Sequence, residues 1–424
     1  MNIGIDARIL ERKMTGIGRV LTLFLRELPK VDKKNKYFLF TYEGFNIDDS
    51  FYKNVPTIKS FLPQKLFAPI WSNIILPRYL KKNKIDLFFS ANQQIPLIKI
   101  KDVKYIFVLH DVIYKADKKF HPFIYRKYLE FFTYFSIKSS DLIVTDSKYS
   151  KQDILKYYNV NERKIKVIYS AADKKFFPMN ISMEEKSELK KMFGSPEHIV
   201  LYLGMIENRK NITCILNIAD AISKVNKQVK FLLIGKIGYG GDNILKNILK
   251  RENVIHLNNV DDDLLTKIFN ISSVFLFPSF YEGFGFPPLE AMQSGLPVLA
   301  SNNTSLLEIV GTGGILHDAE DCESFTNDII KLLSDKEFYK KMKERGIEQA
   351  KLFKIENTAK EFMDAFNSFE WLLFWLRKFY FQERNLIFKT AINKNDMTIQ
   401  LNYRQPIEIR IYMFIKVNLN RFAH

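Results

Sequence analysis

Short apolar runs alternate with longer helix-period segments along most of the chain, and this alternation limits the fold more than any other feature. In the first half the runs are Ile3–Leu10, Tyr37–Tyr42, Ile85–Ser90, Tyr105–His110, Leu142–Thr145 and Ile165–Tyr169. Between them lie helical segments at Ile17–Leu28, Pro122–Ser139 and Ser147–Tyr158, the last with Ser147 as N-cap. The second half repeats the theme, with strands at Ile199–Leu203, Val229–Ile234, Val254–Leu257, Val274–Phe277, Pro297–Ala300 and Gly314–Leu316. Its helices fall at Ile212–Lys224, Asn243–Lys250, Asp262–Asn270, Pro287–Ser294, Cys322–Leu333 and Lys336–Lys351. Several strands are apolar throughout, as strands covered on both faces must be. The pattern predicts α/β architecture: two doubly wound, Rossmann-like domains facing each other across a cleft. The join falls within residues 177–196, where Pro178, a charged stretch and Gly194-Ser195-Pro196 break the pattern. In such sheets a ligand sits beyond the carboxyl ends of the strands, here in the cleft. A length of 424 residues suits two or three domains.

Composition closes other classes. With 26% charged and 14% aromatic residues, the chain has ample apolar surface to offset ordering entropy. Cys214 and Cys322 are too few for a disulfide scaffold or a thiolate cluster. They are expected to be reduced, small, buried residues. No apolar run approaches the length of a spanning helix, about 18 residues or more. Met1 leads into an apolar run without a basic head or cleavage site, so no secretory leader is expected. The expected location is cytoplasmic, at the inner face of the plasma membrane if a membrane is touched. The net charge of +17 is uneven. Residues 1–178 carry 33 basic and 17 acidic side chains, residues 179–370 carry 22 and 27, and residues 371–424 carry 9 and 3. A basic first half invites an anionic surface. A general richness in Lys, Asn, Ile and Phe also accounts for it, although not for the acidic middle. No RNA-binding motif or zinc-finger spacing points to nucleic acid.

Five segments carry chemistry. PSFYEGFGFPPLEAM (278–292) follows a strand and opens a helix, with Pro287 and Pro288 suited to its first turn. Gly283 and Gly285 allow close backbone approach, and the helix N-terminus favours an anion. Glu282 and Glu290 can hold two hydroxyl-bearing parts of one ligand; alternatively they cap the helix. Arg209 and Lys210, in LGMIENRKN (203–211), fall at a strand-to-helix turn where they can clamp a diphosphate, or form a solvated basic pair. IGKIGYGG (234–241), with Gly235, is either part of a nucleotide wall or a tight turn. TGIGR (15–19) makes a flexible loop of Gly16 and Gly18 facing the cleft. LHD (109–111) puts His110 at a strand's carboxyl end, lining a ligand or capping a core. No two of the six histidines pair at metal-ligand spacing.

The ordered set TGIGR, LHD, IENRKN, PSFYEGFGFPPLEAM and GLPVLASN (295–302) resembles glycosyltransferase family 4, of the GT-B fold. It is most similar to bacterial mannosyltransferase-type enzymes that build surface polysaccharides such as O-antigen. The resemblance runs from about Met1 to Phe369 and implies a first domain over 1–178, a nucleotide-sugar domain over 179–355, and a helix crossing back over 356–370. It implies that Arg209 and Lys210 bind the donor diphosphate, Glu282 the sugar hydroxyls, Glu290 the ribose, and the Phe284-Gly285 backbone sugar or phosphate. His110 would contact the sugar, and the Gly16–Gly18 loop would close over phosphate and acceptor. The implied reaction retains anomeric configuration and needs neither metal nor cofactor. The donor is a nucleotide sugar, GDP-mannose first, with UDP-hexoses or dTDP-rhamnose next. The acceptor is a saccharide or polyprenyl-linked saccharide. A nucleotide-sugar hydrolase or epimerase, or a non-enzymatic binder of anionic ligands, is the alternative on the same fold. Arg209 and Glu282 are expected on cleft loops, where substitution leaves the melting temperature almost unchanged. After LHD the family has a basic, proline-containing stretch, whereas this chain reads Val112-Ile-Tyr-Lys-Ala-Asp. The basic, aromatic tail over 371–424 matches nothing in the family; it is a membrane-contact appendage or the product of a shifted reading frame.

Overall fold

The computed structural model describes residues 1–11, 16–44, 50–58 and 64–369. Two parallel sheets organise them. The first has seven strands in the order β3-β2-β1-β4-β5-β6-β7. These are β1 (Asn2–Asp6), β2 (Lys36–Thr41), β3 (Tyr52–Pro56), β4 (Leu87–Ser90), β5 (Lys104–Val108), β6 (Leu142–Thr145) and β7 (Ile165–Val167). The second has six in the order β10-β9-β8-β11-β12-β13. They are β8 (His198–Leu203), β9 (Val229–Ile234), β10 (Val254–Leu257), β11 (Val274–Phe277), β12 (Val298–Ser301) and β13 (Ile315–His317). In each sheet the order reverses direction beside its first strand, so a crevice opens between β1 and β4 and between β8 and β11.

Both faces of each sheet are covered, which is why the strands read as apolar runs. Tyr37 and Leu39 of β2 join the cluster formed with Leu21, Phe24 and Leu25 of the helix Gly16–Val31. Phe38 and Phe40 point the other way, into a cluster with Trp71, Leu76 and Ile137. The second domain has one large core running from Ala172 to Phe353. The helix Ile355–Asn367 follows that core in sequence, yet it buries Ala359, Phe362, Met363 and Phe366 in the first domain.

Several expectations need correction. The run Ile3–Leu10 is a strand only to Asp6; Arg8–Glu11 turn into a 3₁₀ helix. Gly16 and Gly18 do not form a flexible loop: the helix already begins at Gly16, and the Thr22 hydroxyl bonds the Gly18 carbonyl. Thr15 and the tail 371–424 lie outside the described residues. Cys214 and Cys322 are joined as a disulfide rather than reduced. Cys214 lies in the first turn of the helix Ile212–Val225 and Cys322 opens the helix Cys322–Ser334, and these two helices pack together. The helix expected at Asp262–Asn270, by contrast, is present as Asp262–Ile271, and Asp261 caps it by accepting from the Leu264 amide at 2.8 Å.

Candidate active site

The two loops flanking the crevice of the second sheet supply its charged centre. β8 ends at Leu203, and a short turn leads to Glu207, Arg209 and Lys210. Asn211, with φ 53° and ψ 43°, then starts the helix Ile212–Val225. β11 ends at Phe277 and continues through Ser279 and Glu282. Lys210 Nζ lies 2.5 Å from Glu282 Oε1 and 5.0 Å from the centre of the Phe277 ring. Arg209 Nη1 donates to Glu282 Oε2 at 3.2 Å and to the Tyr281 carbonyl at 2.9 Å. Its Nη2 holds Glu207 at 2.7 Å. The Ser279 hydroxyl completes the shell at 2.5 Å from Glu282 Oε1.

Two cations thus share two carboxylates in a nearly dry setting. Lys210 and Glu282 are each only 7% exposed. Burial opposes ionisation of Glu282, but Lys210 and Arg209 outweigh it and hold the carboxyl below its ordinary range. Burial pulls the Lys210 ammonium below its ordinary value. Arg209 and Lys210 are therefore not a solvated basic pair. Nor does Glu282 cap the following helix, because its carboxylate faces the two cations. Its place in a buried ion cluster also corrects the expectation that its replacement would leave stability untouched.

Glu290 is held one turn into the helix Phe286–Gln293. The helix starts from Gly285 at φ +112°, where a Cβ would lie 2.9 Å from Leu306 Cδ2. Glu290 is buried, and burial pushes its carboxyl up to about 7, with Arg19 and Lys175 drawing it back. Arg19 Nη1, from the first domain, reaches Glu290 Oε1 at 3.3 Å, while its Nη2 meets Asp262 at 3.0 Å. Phe284 turns its ring into the core against Phe286 and Phe353, and its carbonyl accepts from the Ser305 hydroxyl at 2.8 Å. Gly235 has a structural demand of its own: at φ +149°, a Cβ there would stand 1.9 Å from the Gly204 carbonyl oxygen.

The first domain meets this centre through the carboxyl ends of β5 and β6. His110 follows β5 with both ring nitrogens engaged: Nδ1 bonds Asp146, and Nε2 donates to the Ala91 carbonyl at 3.2 Å. Burial works against the imidazolium, yet Asp146 wins and holds the His110 pKa above its ordinary value. The His110 backbone oxygen would lie 2.7 Å from a Cβ at position 283, so only glycine lets the two domains approach there. The Ser147 and Ser150 hydroxyls donate to the Gly283 carbonyl at 2.8 and 3.1 Å. Glu308 of the second domain accepts the amides of Lys148 and Tyr149 at 3.1 and 2.8 Å, and the Tyr169 hydroxyl at 2.7 Å. Tyr281 closes the contact by donating to Asp153 at 2.6 Å. The structure thus gathers Arg209, Lys210 and Glu282 into one cluster. Glu290 stands apart with Arg19, and His110 belongs to the docking surface of the first domain. Sequence reasoning missed Arg19, Asp146, Glu207 and Glu308. Arg19 and Glu207 stood inside quoted motifs, and Asp146 directly precedes the recognised N-cap Ser147.

Two family descriptions match consecutive parts of the chain: Glycosyltransferase Family 4 over residues 14–176, and Glycosyl transferases group 1 over residues 183–349. The O-antigen chain mannosyltransferase B of Escherichia coli is 28% identical over 371 residues, covering 83% of this chain and 96% of that protein. The serotype-specific mannosyltransferase WbdA of Escherichia coli is 30% identical over 276 residues, covering 62% of this chain but only 33% of the longer relative. Among solved structures, sucrose-phosphate synthase from Thermosynechococcus elongatus superposes with a TM-score of 0.69 at 18% identity, over 87% of this chain and 98% of that one. Anabaena HepE in complex with UDP-glucose gives 0.65 at 17% identity, over 87% and 99%. These two likenesses bear on the fold.

Proposed function

Because this chain belongs to glycosyltransferase family 4 and has the GT-B fold, we propose that it moves mannose from GDP-mannose to a saccharide or polyprenyl-linked acceptor in cell-surface polysaccharide synthesis. The observation that carries this reading is the buried cluster of Arg209, Lys210 and Glu282 at the crevice of the second sheet. A departing diphosphate gathers negative charge on its oxygens. A fixed guanidinium and ammonium stabilise that charge without waiting for solvent to reorganise. Glu282, anchored by both cations and Ser279, presents a carboxylate to sugar hydroxyls. Glu290 takes the ribose hydroxyls once Arg19 yields. The acceptor attacks from the face the diphosphate leaves, so configuration is retained.

The test is transfer itself. Purified chain with GDP-mannose and a saccharide acceptor should give an α-linked product, read by NMR, and UDP-glucose should give far less. Free mannose as the main product, even with acceptor present, would overturn the reading in favour of hydrolysis. Arg209 and Lys210 supply the positive charge a metal would otherwise bring, so turnover should survive a chelator. Activity lost to the chelator and restored by manganese would remove that part of the proposal.

The burial of Glu290 adds a pH dependence. Ribose hydroxyls donate to a carboxylate, and a carboxyl with a pKa of about 7 is mostly protonated at pH 6. Donor KM should therefore fall about tenfold from pH 6 to pH 8. Glu290→Gln should flatten that profile and raise KM with little effect on kcat, since ribose contacts are equal in ground and transition states. A Glu290→Gln profile as steep as that of the wild type would assign the titration to another group.

A further inference from the structure

Between the two domains lies a cavity of about 550 Å³ that the charged cluster leaves unused. Its walls follow the carboxyl ends of parallel strands, where an open α/β sheet places a ligand. Asn208 and Thr213 come after β8, Phe280 after β11 and Glu320 after β13. Lys119 and Phe120 close it from the first domain, on the 3₁₀ turn Lys118–Phe120 that follows β5. Neither Arg209, Lys210 nor Glu282 lines it. The backbone nevertheless joins it to them: the Phe280 amide donates to the Arg209 carbonyl at 2.9 Å, and Asn208 directly precedes Arg209.

The lining offers amides and a hydroxyl around an aromatic ring. Thr213 and Asn217 are four residues apart on the helix Ile212–Val225, so they share a face. Both are exposed, as is Asn208, and none of the three side chains is hydrogen-bonded within the described residues. The Phe280 ring is half-buried, packed against Ile113, Phe120 and Tyr281. The helix wall and the Glu320 wall are tied together twice, by the disulfide Cys214–Cys322 and by Asn211 Nδ2 donating to the Ala319 carbonyl at 2.6 Å. A ligand therefore meets a shape that needs little further ordering.

The chemistry of the walls selects the occupant. The charged lining residues are Lys119 and Glu320, one of each sign, and Lys119 is already paired with Asp117 at 3.2 Å. An anionic ligand gains little from such a balance. A pyranose carries hydroxyls around its rim and C–H groups on its face, which match free amides and a hydroxyl set about one ring. We propose that this cavity is a saccharide subsite, holding the part of the acceptor that lies beyond the sugar unit that attacks. Because it lies apart from Arg209, Lys210 and Glu282, it takes neither the diphosphate nor the transferred sugar. The word acceptor rests on the transferase reading; the saccharide site itself needs no donor.

The experiment is calorimetric titration of the full chain, without donor, by methyl α-mannoside and by three neutral trisaccharides: α-mannotriose, maltotriose and chitotriose. At least one trisaccharide should bind, and more tightly than the monosaccharide. The double variant Thr213→Ala/Asn217→Ala changes two exposed helix positions, so it should melt with the wild type and bind that trisaccharide about tenfold more weakly. Phe280→Ala should weaken binding as well. In transfer assays, the wild type should show a lower KM for the trisaccharide than for methyl α-mannoside, and the double variant should lose most of that preference. The proposal is overturned if none of the trisaccharides binds, if the folded double variant binds undiminished, or if acceptor KM in the wild type is independent of length. A chain that binds a trisaccharide through Thr213 and Asn217 yet transfers no sugar would keep the saccharide site and count against the transferase reading alone.

Discussion

Glu282→Gln is expected to lower turnover by about 10²–10³ and, separately, to lower the unfolding free energy by about 3–5 kcal/mol. The two losses have different causes. The first is the loss of a carboxylate aligned on the sugar while the diphosphate departs. The second arises in the unliganded protein, where the amide leaves the Lys210 ammonium buried with its counter-ion gone. Because burial already draws the Lys210 pKa down, the variant has an escape: Lys210 sheds its proton. A group whose folded pKa lies below its unfolded value penalises folding as pH drops below the unfolded value. The stability deficit of Glu282→Gln should therefore shrink as pH rises toward the ordinary lysine range. Adding Lys210→Met should recover most of the stability and none of the turnover, which separates the two effects. Turnover within tenfold of the wild type in a folded Glu282→Gln protein would take Glu282 out of the chemistry.

Most of the architecture was legible because doubly covered strands announce themselves. Ile199–Leu203 and Val274–Phe277 are continuous apolar runs, and both became central strands. β3 was not legible: Tyr52–Pro56 exposes Lys53 and Asn54, ends in proline and lies at the sheet edge. The helical stretch 64–82 was hidden for a related reason, since Pro69 and Pro77 interrupt its period and a wider π turn at Trp71–Ile75 bridges them. In the site, Arg209, Lys210 and Glu282 were readable because charge directly after an apolar strand and a glycine turn has few structural uses. Glu308 was not, because it looks like any first-turn acid of a short helix. Its partners, Tyr149 and Tyr169, are 159 and 139 residues away and meet it only when the domains dock. The disulfide escaped for the same reason: a separation of 108 residues gives no spacing signal.

The other large effect is expected far from the cleft, at Phe366. This ring is fully buried and stands 5.5 Å from Phe89 and 6.2 Å from both Phe24 and Phe362. Phe24 and Phe89 belong to the first domain, whereas Phe362 and Phe366 arrive on the helix that follows the second domain in sequence. The first domain's core is therefore incomplete without residues more than 170 positions beyond its last strand. Phe366→Ala removes a ring from that core and should cost about 3–5 kcal/mol, read as a lower urea midpoint. Leu352→Ala, at a position 66% exposed on the approach to the same helix, should shift stability by no more than about 0.5 kcal/mol. Because Phe366 touches none of the charged residues of the cleft, the folded fraction of Phe366→Ala should keep wild-type kcat. A cost under about 1 kcal/mol would mean that the helix merely lies on the first domain rather than completing it. A full cost with normal kcat would show that the helix contributes to folding and not to the reaction.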